Sequence, residues 1–265
     1  MKNFFLITFF LLFISAQSQN KLLSKEALKR FLDYTSVESA LDDNLKIEIP
    51  QVYKLDLSKQ KVKFLPTQIE QLTFLQYLFL NNNDLTFLPA EIGKLSNLQI
   101  LLLNSNRLTS LPEEFIKLTN LVTLNLSYNQ LDSLPDGFEN FVNLEVLDLD
   151  SNNISTIKRG ISNLQKLRIL KCSNNKLDSL PIEFWSLTEL QELYLYGNLL
   201  IEIPLEIREL KKLKYLNLAN NQIEKIPDEI SELNNLEYLN LSGNQLSDID
   251  IKKLRKLLPK CEIIY

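Results

Sequence analysis

Apolar and polar residues follow one frame that recurs every 23 residues along most of the chain. One copy reads Leu72-x-x-Leu75-x-x-Leu78-x-Leu80-x-x-Asn83-x-Leu85-x-x-Leu88-Pro89-x-x-Ile92. The Leu-x-Leu segment has period two, so both of its leucines point to the same face of a short strand. A fixed period of this length is typical of an array of stacked repeats. The frame therefore predicts parallel strands about 4.8 Å apart, with their leucines in one continuous core.

The polar anchor of the frame is an asparagine that closes each strand. Eight occupy this register: Asn83, Asn106, Asn129, Asn152, Asn175, Asn198, Asn221 and Asn244. A preceding unit has Gln60 in this place, so nine units run over residues 49–249. A primary amide carries two donors and an acceptor. We expect each buried amide to bond backbone groups of its own turn and of the next turn.

The second half of the frame predicts short turns opposite the strands. Seven units place a proline there: Pro66, Pro89, Pro112, Pro135, Pro181, Pro204 and Pro227. Proline suits the first position of a helical turn. The glutamates that follow two residues later suit the positive end of that turn: Glu91, Glu114, Glu183, Glu206 and Glu229. The fifth unit has Lys158-Arg159-Gly160 instead, which predicts a relaxed turn, with a basic contact point as the alternative.

The repeated Leu-Pro-x-x-Ile segments, such as Leu88–Ile92 and Ile226–Ile230, resemble the leucine-rich repeat family. The 23-residue form is similar to that of exported bacterial members of the family. The resemblance implies an α/β solenoid that is curved, with a parallel β-sheet on its concave face and short helical or 3₁₀ turns on its convex face. It also implies that the concave face binds other proteins, without implying a particular partner.

The N-terminal segment predicts export. Lys2 precedes an apolar run over Phe4–Ile14, which is too short to span a bilayer and matches the hydrophobic region of a signal peptide. Residues 1–18 are the predicted signal peptide, cleaved after Ser18, with cleavage after Ala16 as the alternative. We therefore expect a secreted or cell-surface protein without a stable membrane anchor. If the segment is not a signal, an intracellular scaffold is the alternative.

The ends of the array need caps, because a terminal repeat exposes its core. Residues 19–48 form the predicted N-terminal helical cap. Residues 250–265 form the predicted C-terminal cap, with apolar residues at helical spacing and a last short strand over residues 261–265. Cys172 occupies a core leucine position and lies nearly four units from Cys261. That separation exceeds the Cα distance of about 7 Å that a disulfide allows.

Composition argues against several classes of function. The sequence has no histidine, and its five glycines form no phosphate-binding loop, so we expect no enzyme, no cofactor and no metal site. The net charge is −4 without a basic stripe, which disfavours a nucleic-acid partner.

The positions that the frame leaves free predict the binding surface. In x-Leu-x-Leu-x, the three variable side chains point away from the core, onto the concave face. Twelve of these residues form the predicted partner-binding surface. They comprise an apolar patch (Tyr77, Phe79, Ile100 and Leu102), Asn125, an acidic pair (Asp148 and Asp150), Lys171, and an aromatic patch (Tyr194, Tyr196, Tyr215 and Tyr238).

Two functions remain open at this stage. Tyrosine-rich surface with intervening charge is typical of protein-binding interfaces, so the first is binding of a partner protein, with a host protein as one candidate. The second is a self-associating structural or cell-surface protein, such as a homodimer. The alternative to a binding role is that these residues occur here only because aromatic and β-branched side chains favour strands.

Overall fold

The structure is a computed structural model, and it describes residues 53–265. The predicted signal peptide, the predicted N-terminal cap and the first residues of the first repeat lie outside the described residues. Ten parallel strands form one sheet in chain order. They are β1 (Lys54–Asp56), β2 (Tyr77–Phe79), β3 (Ile100–Leu102), β4 (Thr123–Asn125), β5 (Val146–Asp148), β6 (Ile169–Lys171), β7 (Glu192–Tyr194), β8 (Tyr215–Asn217), β9 (Tyr238–Asn240) and β10 (Glu262–Ile264).

Short 3₁₀ turns lie between the strands, on the side opposite the sheet. They span Thr67–Gln71, Ala90–Lys94, Glu113–Lys117, Phe138–Asn140, Arg159–Asn163, Ile182–Ser186, Leu205–Glu209 and Asp228–Glu232. The predicted solenoid, with parallel strands on one side and short turns on the other, is confirmed.

The core is a column of frame leucines between the sheet and the turns. Leu147 and Leu149 of the fifth unit are both fully buried, as are their equivalents in neighbouring units. Cys172 replaces one of these leucines and is 1% exposed. Burial raises the pKa of its thiol well above the usual range, and both cysteines are free. Cys172 therefore acts as a small apolar core residue.

The asparagines form a buried ladder, as predicted, but it connects each turn to the preceding turn and not to the next. The Asn152 amide nitrogen donates to the carbonyls of Leu149 and Leu126, both at 3.0 Å. Its oxygen accepts from the Leu131 amide at 3.0 Å. The Leu126 carbonyl accepts from Asn129 of its own unit at 2.9 Å as well as from Asn152 of the following unit. One side chain thus satisfies three buried backbone groups.

Six of the seven prolines lie one residue earlier than predicted. Pro89, with φ −69° and ψ 152°, precedes the 3₁₀ turn in extended conformation, and its carbonyl accepts from the Ile92 amide at 3.1 Å. Lys158 of the fifth unit adopts nearly the same angles, −74° and 151°. The prediction of a relaxed turn there was wrong, because this conformation suits lysine as well as proline. The shortened turn follows Pro135 instead, where Gly137 is left-handed with φ 87°.

A second asparagine ladder lies on the surface, at the bend before the strands, and was missed by the sequence analysis. Each member donates to a carbonyl 24 residues earlier, as Asn120 does to Ser96 at 2.8 Å. The members are Asn97, Asn120, Asn143 and Asn235. These bonds connect neighbouring turns on the side that the buried ladder does not reach.

The last repeat is covered by helix α1 (Asp248–Leu257) and strand β10. Ser247 and Asp250 form a capping box at the start of α1. Ile251 and Leu254 of the helix are buried against the core, and β10 extends the sheet in parallel with β9. None of the helices within residues 53–265 combines the length and apolar character needed to cross a bilayer.

Candidate functional site

The solvent-facing side of the sheet, here called the open face, carries all twelve residues predicted for binding. Alternation along each strand turns the leucines inward and these residues outward. Each of the twelve is partly exposed, and Tyr215 is the most exposed at 36%. Strand pairing places residues 23 apart side by side, for example Asp148 beside Lys171 and Tyr215 beside Tyr238. The open face is therefore a grid of columns that run across the strands.

The aromatic patch is held by hydrogen bonds to two glutamates. The Tyr194 hydroxyl donates to Glu192 Oε2 at 3.0 Å, and the Tyr215 hydroxyl to Glu237 Oε2 at 3.5 Å. Burial, followed by the nearby Glu192 charge, raises the pKa of Tyr194. The rings of Tyr215 and Tyr238 lie 6.4 Å apart. The hydroxyls of Tyr194 and Tyr215 are therefore engaged by glutamates that lie beside the patch.

The apolar patch lies on β2 and β3, where Tyr77 and Phe79 stand beside Ile100 and Leu102. The Lys54 ammonium group lies 4.9 Å from the centre of the Phe79 ring. The structure does not join this patch to the aromatic patch. Strands β4 to β6 separate them, a gap of about 19 Å between β3 and β7.

The acidic pair lies on β5, between the two patches. Asp148 Oδ1 accepts from the Asp150 amide at 3.1 Å, and Asp150 Oδ1 accepts from the Ser173 amide at 2.5 Å. Burial raises the pKa of Asp148. Burial and then the Asp148 charge raise the pKa of Asp150 to about 6. These carboxylates are thus poorly solvated negative groups at the middle of the open face.

Asn125 and Lys171 flank the acidic pair and differ in how far their polar atoms are engaged. Asn125 Oδ1 accepts from the amide and hydroxyl of Ser127, and its nitrogen donates to Asp148 Oδ2 at 3.3 Å. The Lys171 ammonium group lies 5.5 Å from the centre of the Tyr194 ring. Asn125 is therefore committed to the strand end, whereas Lys171 connects the acidic pair to the aromatic patch.

The carboxylates of the acidic pair are held in place by neighbouring donors. Among residues 53–265 there is no group of three His, Cys, Asp or Glu side chains that could hold a metal ion. The acidic pair is bonded to backbone amides and to Asn125. The pair therefore presents negative charge on the open face.

Tyr128, at the rim of the open face, was missed by the sequence analysis. It is 62% exposed and has a left-handed φ of 54°. Its amide donates to the Asp150 carbonyl at 2.8 Å, so it lies beside the acidic pair. Equivalent positions in other units hold Asn82, Ser105 and Gly197. An aromatic residue in a register otherwise occupied mainly by small or turn-forming residues was the signal that could have found it.

Two further exposed apolar groups lie away from the open face and were also missed. Phe64 and Phe87, in equivalent positions of neighbouring units, line a cleft beside the Arg107–Asp84 ion pair. An aliphatic group lies near the 3₁₀ turns at the other end of the array and comprises Ile182, Leu199, Ile201 and Leu205. Both lie in the loop and turn registers of the frame, outside the strand columns considered from the sequence.

The chain belongs to the leucine-rich repeat family. The family model described as a leucine-rich repeat region matches residues 46–179. The model described as two copies of leucine-rich repeats matches residues 188–235 and 211–256. No curated protein matches the sequence. Folds of this family commonly mediate protein–protein interaction.

Similar solved structures come from plants and bacteria. The ectodomain of the membrane receptor kinase GASSHO1/SCHENGEN3 from Arabidopsis thaliana, in complex with CASPARIAN STRIP INTEGRITY FACTOR 2, is 36% identical over 74% of this chain and 24% of that chain, with a TM-score of 0.69. The plant peptide hormone receptor RGFR1 in complex with RGF2 is 32% identical over 80% and 39%, with a TM-score of 0.66. The functional domain of InlJ from Listeria monocytogenes is 25% identical over 78% and 47%, with a TM-score of 0.59. The chain thus spans less than half the length of each of these proteins.

Proposed function

We propose that the open face binds another protein, and that the chain is an exported, non-enzymatic binding module. The observation that carries this proposal is the contiguity of the aromatic patch across β7, β8 and β9. Exposed apolar residues that stand alone are normal on a protein surface, whereas contiguous patches mark interaction sites. Tyrosine offers a large, rigid and amphipathic contact area at a small entropic cost.

The plant structures support binding of a protein or peptide, because both were solved with such a partner. The partners named for these two plant receptors are theirs, and we do not propose them for this chain. We propose a partner outside the producing cell, with a host protein among the candidates, because the N-terminal segment predicts export.

The test is affinity capture with the purified chain, from host secretions and from extracts of the producing cell. Replacing Tyr194, Tyr196 and Tyr215 by alanine should weaken capture at least tenfold, equivalent to about 1.4 kcal/mol. The matched control is the convex-side triple variant Glu183→Gln, Glu206→Gln and Glu229→Gln, which should capture like the parent. Loss of capture in the convex variant alone would show that the binding face lies on the other side of the solenoid.

Export has a separate test. Protein recovered from its native source should lack residues 1–18 when its mass is measured. Intact Met1 on the mature protein would contradict export and favour an intracellular scaffold.

A further inference from the structure

The aliphatic group is an apolar surface that lies away from the open face. Its members are 44–59% exposed: Leu199, Ile201 and Leu205 of the seventh unit and Ile182 of the sixth. In the registers of Leu199 and Ile201, every other unit has a polar residue. The repeat frame therefore does not require apolar residues here, and an exposed apolar group of this kind marks an interaction surface.

The four residues form one band across the loops and turns. Leu199 and Ile201 are exposed on either side of the buried Leu200, so both point outward. Ile182 and Leu205 are the first residues of neighbouring 3₁₀ turns. Residues 201 and 205 belong to one segment and lie at most about 14 Å apart, the reach of four residues of extended chain.

Backbone hydrogen bonds hold the loops on either side of this band in a fixed register. The Leu199 amide donates to the carbonyl of residue 177, and the amide of residue 222 donates to the carbonyl of residue 200, both at 2.8 Å. Ile201 therefore lies between Asp178 and Glu224, which occupy its register in the neighbouring units. Among residues 53–265, neither of these carboxylates forms an ion pair.

The wider surroundings are also acidic. Residues 176–183, 199–206 and 222–229 contain two lysines, Lys176 and Lys225, and seven carboxylates. The carboxylates are Asp178, Glu183, Glu202, Glu206, Glu224, Asp228 and Glu229. The aliphatic group is thus an apolar surface with an excess of negative charge around it.

We propose that the aliphatic group binds a basic amphipathic segment of a partner protein. Apolar residues of that segment would cover the band, and its lysines or arginines would lie beside Asp178, Glu202 and Glu224. Apolar burial supplies affinity, and opposite charge selects the partner. A membrane surface fits less well, because anionic lipids would be repelled by these carboxylates. The surface is separate from the open face, so the proposal goes beyond the proposed function.

The single tryptophan of the chain lies next to this surface. Trp185 occupies the register of Gly93, where an added Cβ atom would contact Glu114 of the following turn. The Trp185 side chain therefore lies between the turns that begin at Ile182 and Leu205, where it is 2% exposed. A segment that covers these two residues should change the fluorescence of the ring.

The probe is a synthetic peptide about four helical turns long, made of leucine and lysine, with leucines at positions i, i+3, i+4 and i+7. It contains no tryptophan, so Trp185 fluorescence follows its binding. We expect a saturable change with a Kd of about 10–100 µM, because the aliphatic group covers only about a few hundred Å². A peptide with the same leucines and with glutamate in place of lysine should bind at least tenfold more weakly.

An aliphatic variant tests the apolar contact. It carries Leu199→Gln, Ile201→Thr and Leu205→Ala, which are residues that the same registers hold in other units, so the fold should tolerate them. Binding of the lysine peptide should weaken at least tenfold, with a nearly unchanged thermal melt. Isothermal titration calorimetry measures the variants, because the changes lie close to Trp185.

An acidic-rim variant tests the charge. Asp178→Asn, Glu202→Gln and Glu224→Gln together should weaken binding of the lysine peptide at least fivefold and reduce its dependence on salt.

Two controls accompany these variants. Glu70→Gln, Glu91→Gln and Glu113→Gln together make the same change in net charge at the other end of the array and should bind the lysine peptide like the parent. The variant with three alanines in the aromatic patch should also bind it like the parent. This proposal and the proposed function can therefore fail separately.

A parent chain that shows no saturable binding of the lysine peptide overturns the proposal. So does equal binding of the glutamate peptide, or full binding by the aliphatic variant. Two other results would also overturn it by assigning the surface to another occupant. Self-association of the parent that the aliphatic variant abolishes would indicate a second copy, and binding to phosphatidylserine vesicles that this variant abolishes would indicate a membrane.

Discussion

The two sides of the same sheet follow opposite rules. On the inner side, successive units repeat nearly the same residue, as Leu124, Leu147 and Leu170 do, and all are buried. On the open face, the next residue along each strand differs between units: it is Asn125 in β4 and Asp148 in β5. These side chains are partly exposed. The inner side can repeat one residue type because every unit packs against its neighbours in the same way. The open face has no such constraint, so its residues vary from unit to unit, and we propose that this variation determines which partner is bound.

The largest expected effect comes from truncating an inner leucine. Leu147→Ala should reduce the free energy of unfolding by about 2–5 kcal/mol, because it leaves a cavity between neighbouring units. Urea denaturation measures the loss. Val146→Ala, one residue away on the open face, should cost less than about 1 kcal/mol because its side chain is partly exposed. Equal losses would remove the distinction between the two sides.

Breaking the buried ladder should have the next largest effect. Asn152→Ala leaves backbone groups of Leu126, Leu131 and Leu149 without this partner. We expect a loss of about 1–3 kcal/mol in the free energy of unfolding. A thermal melt that matches the parent would contradict the structural role of the ladder.

Asp150→Asn should stabilise the protein at neutral pH. The pKa of Asp150 is raised to about 6 in the folded state, chiefly by burial, so the folded chain holds this proton more tightly than the unfolded chain. The contribution of Asp150 is therefore most favourable below about pH 4 and is lost as the pH rises through about 6.

The asparagine variant avoids that loss and can still accept from the Ser173 amide. At pH 7.5 the gain should be on the order of 1 kcal/mol, with solvent screening of this partly exposed group taken into account. Denaturation at a series of pH values measures it. A difference between variant and parent that does not change from pH 4 to pH 7.5 would contradict the burial of this charge.

A smaller increase in stability is expected from a substitution at the rim of the open face. Tyr128→Asn replaces an aromatic residue in left-handed conformation with one that the equivalent positions 82, 174 and 220 already hold. The free energy of unfolding should increase by about 0.5–1 kcal/mol, which a higher melting temperature would show. A lower melting temperature would show that the Tyr128 ring stabilises the fold, and would place this residue with the core and not with the open face.

The sequence predicted what depends on local periodicity. Alternation of period two placed Leu147 inward and Asp148 outward, and the 23-residue repeat placed the buried asparagines. Each of these features recurs, so a single physical argument covers every copy. The relation between the predicted binding residues and a partner stays a prediction.

The errors arose where direction or backbone angles decide the result. Asn152 bonds to the preceding turn because the Leu126 carbonyl is within its reach. The sequence alone does not give the direction of a carbonyl group. The Lys158 turn was misjudged because proline identity was taken as necessary for a backbone conformation that lysine also adopts. The bond from Tyr194 to Glu192 depends on side-chain rotamers, which periodicity does not determine.

The most direct test of the account measures folding and binding on the same two variants. The first variant carries Tyr194→Ala, Tyr196→Ala and Tyr215→Ala, and the second carries Asn152→Ala. For each, the melting temperature and the Kd for the captured partner are determined below the melting transition. We predict a nearly unchanged melt with at least tenfold weaker binding for the tyrosine variant, and a lower melt with unchanged binding for Asn152→Ala. Weakened binding in Asn152→Ala together with full binding in the tyrosine variant would contradict the division between an inner side that folds and an open face that binds.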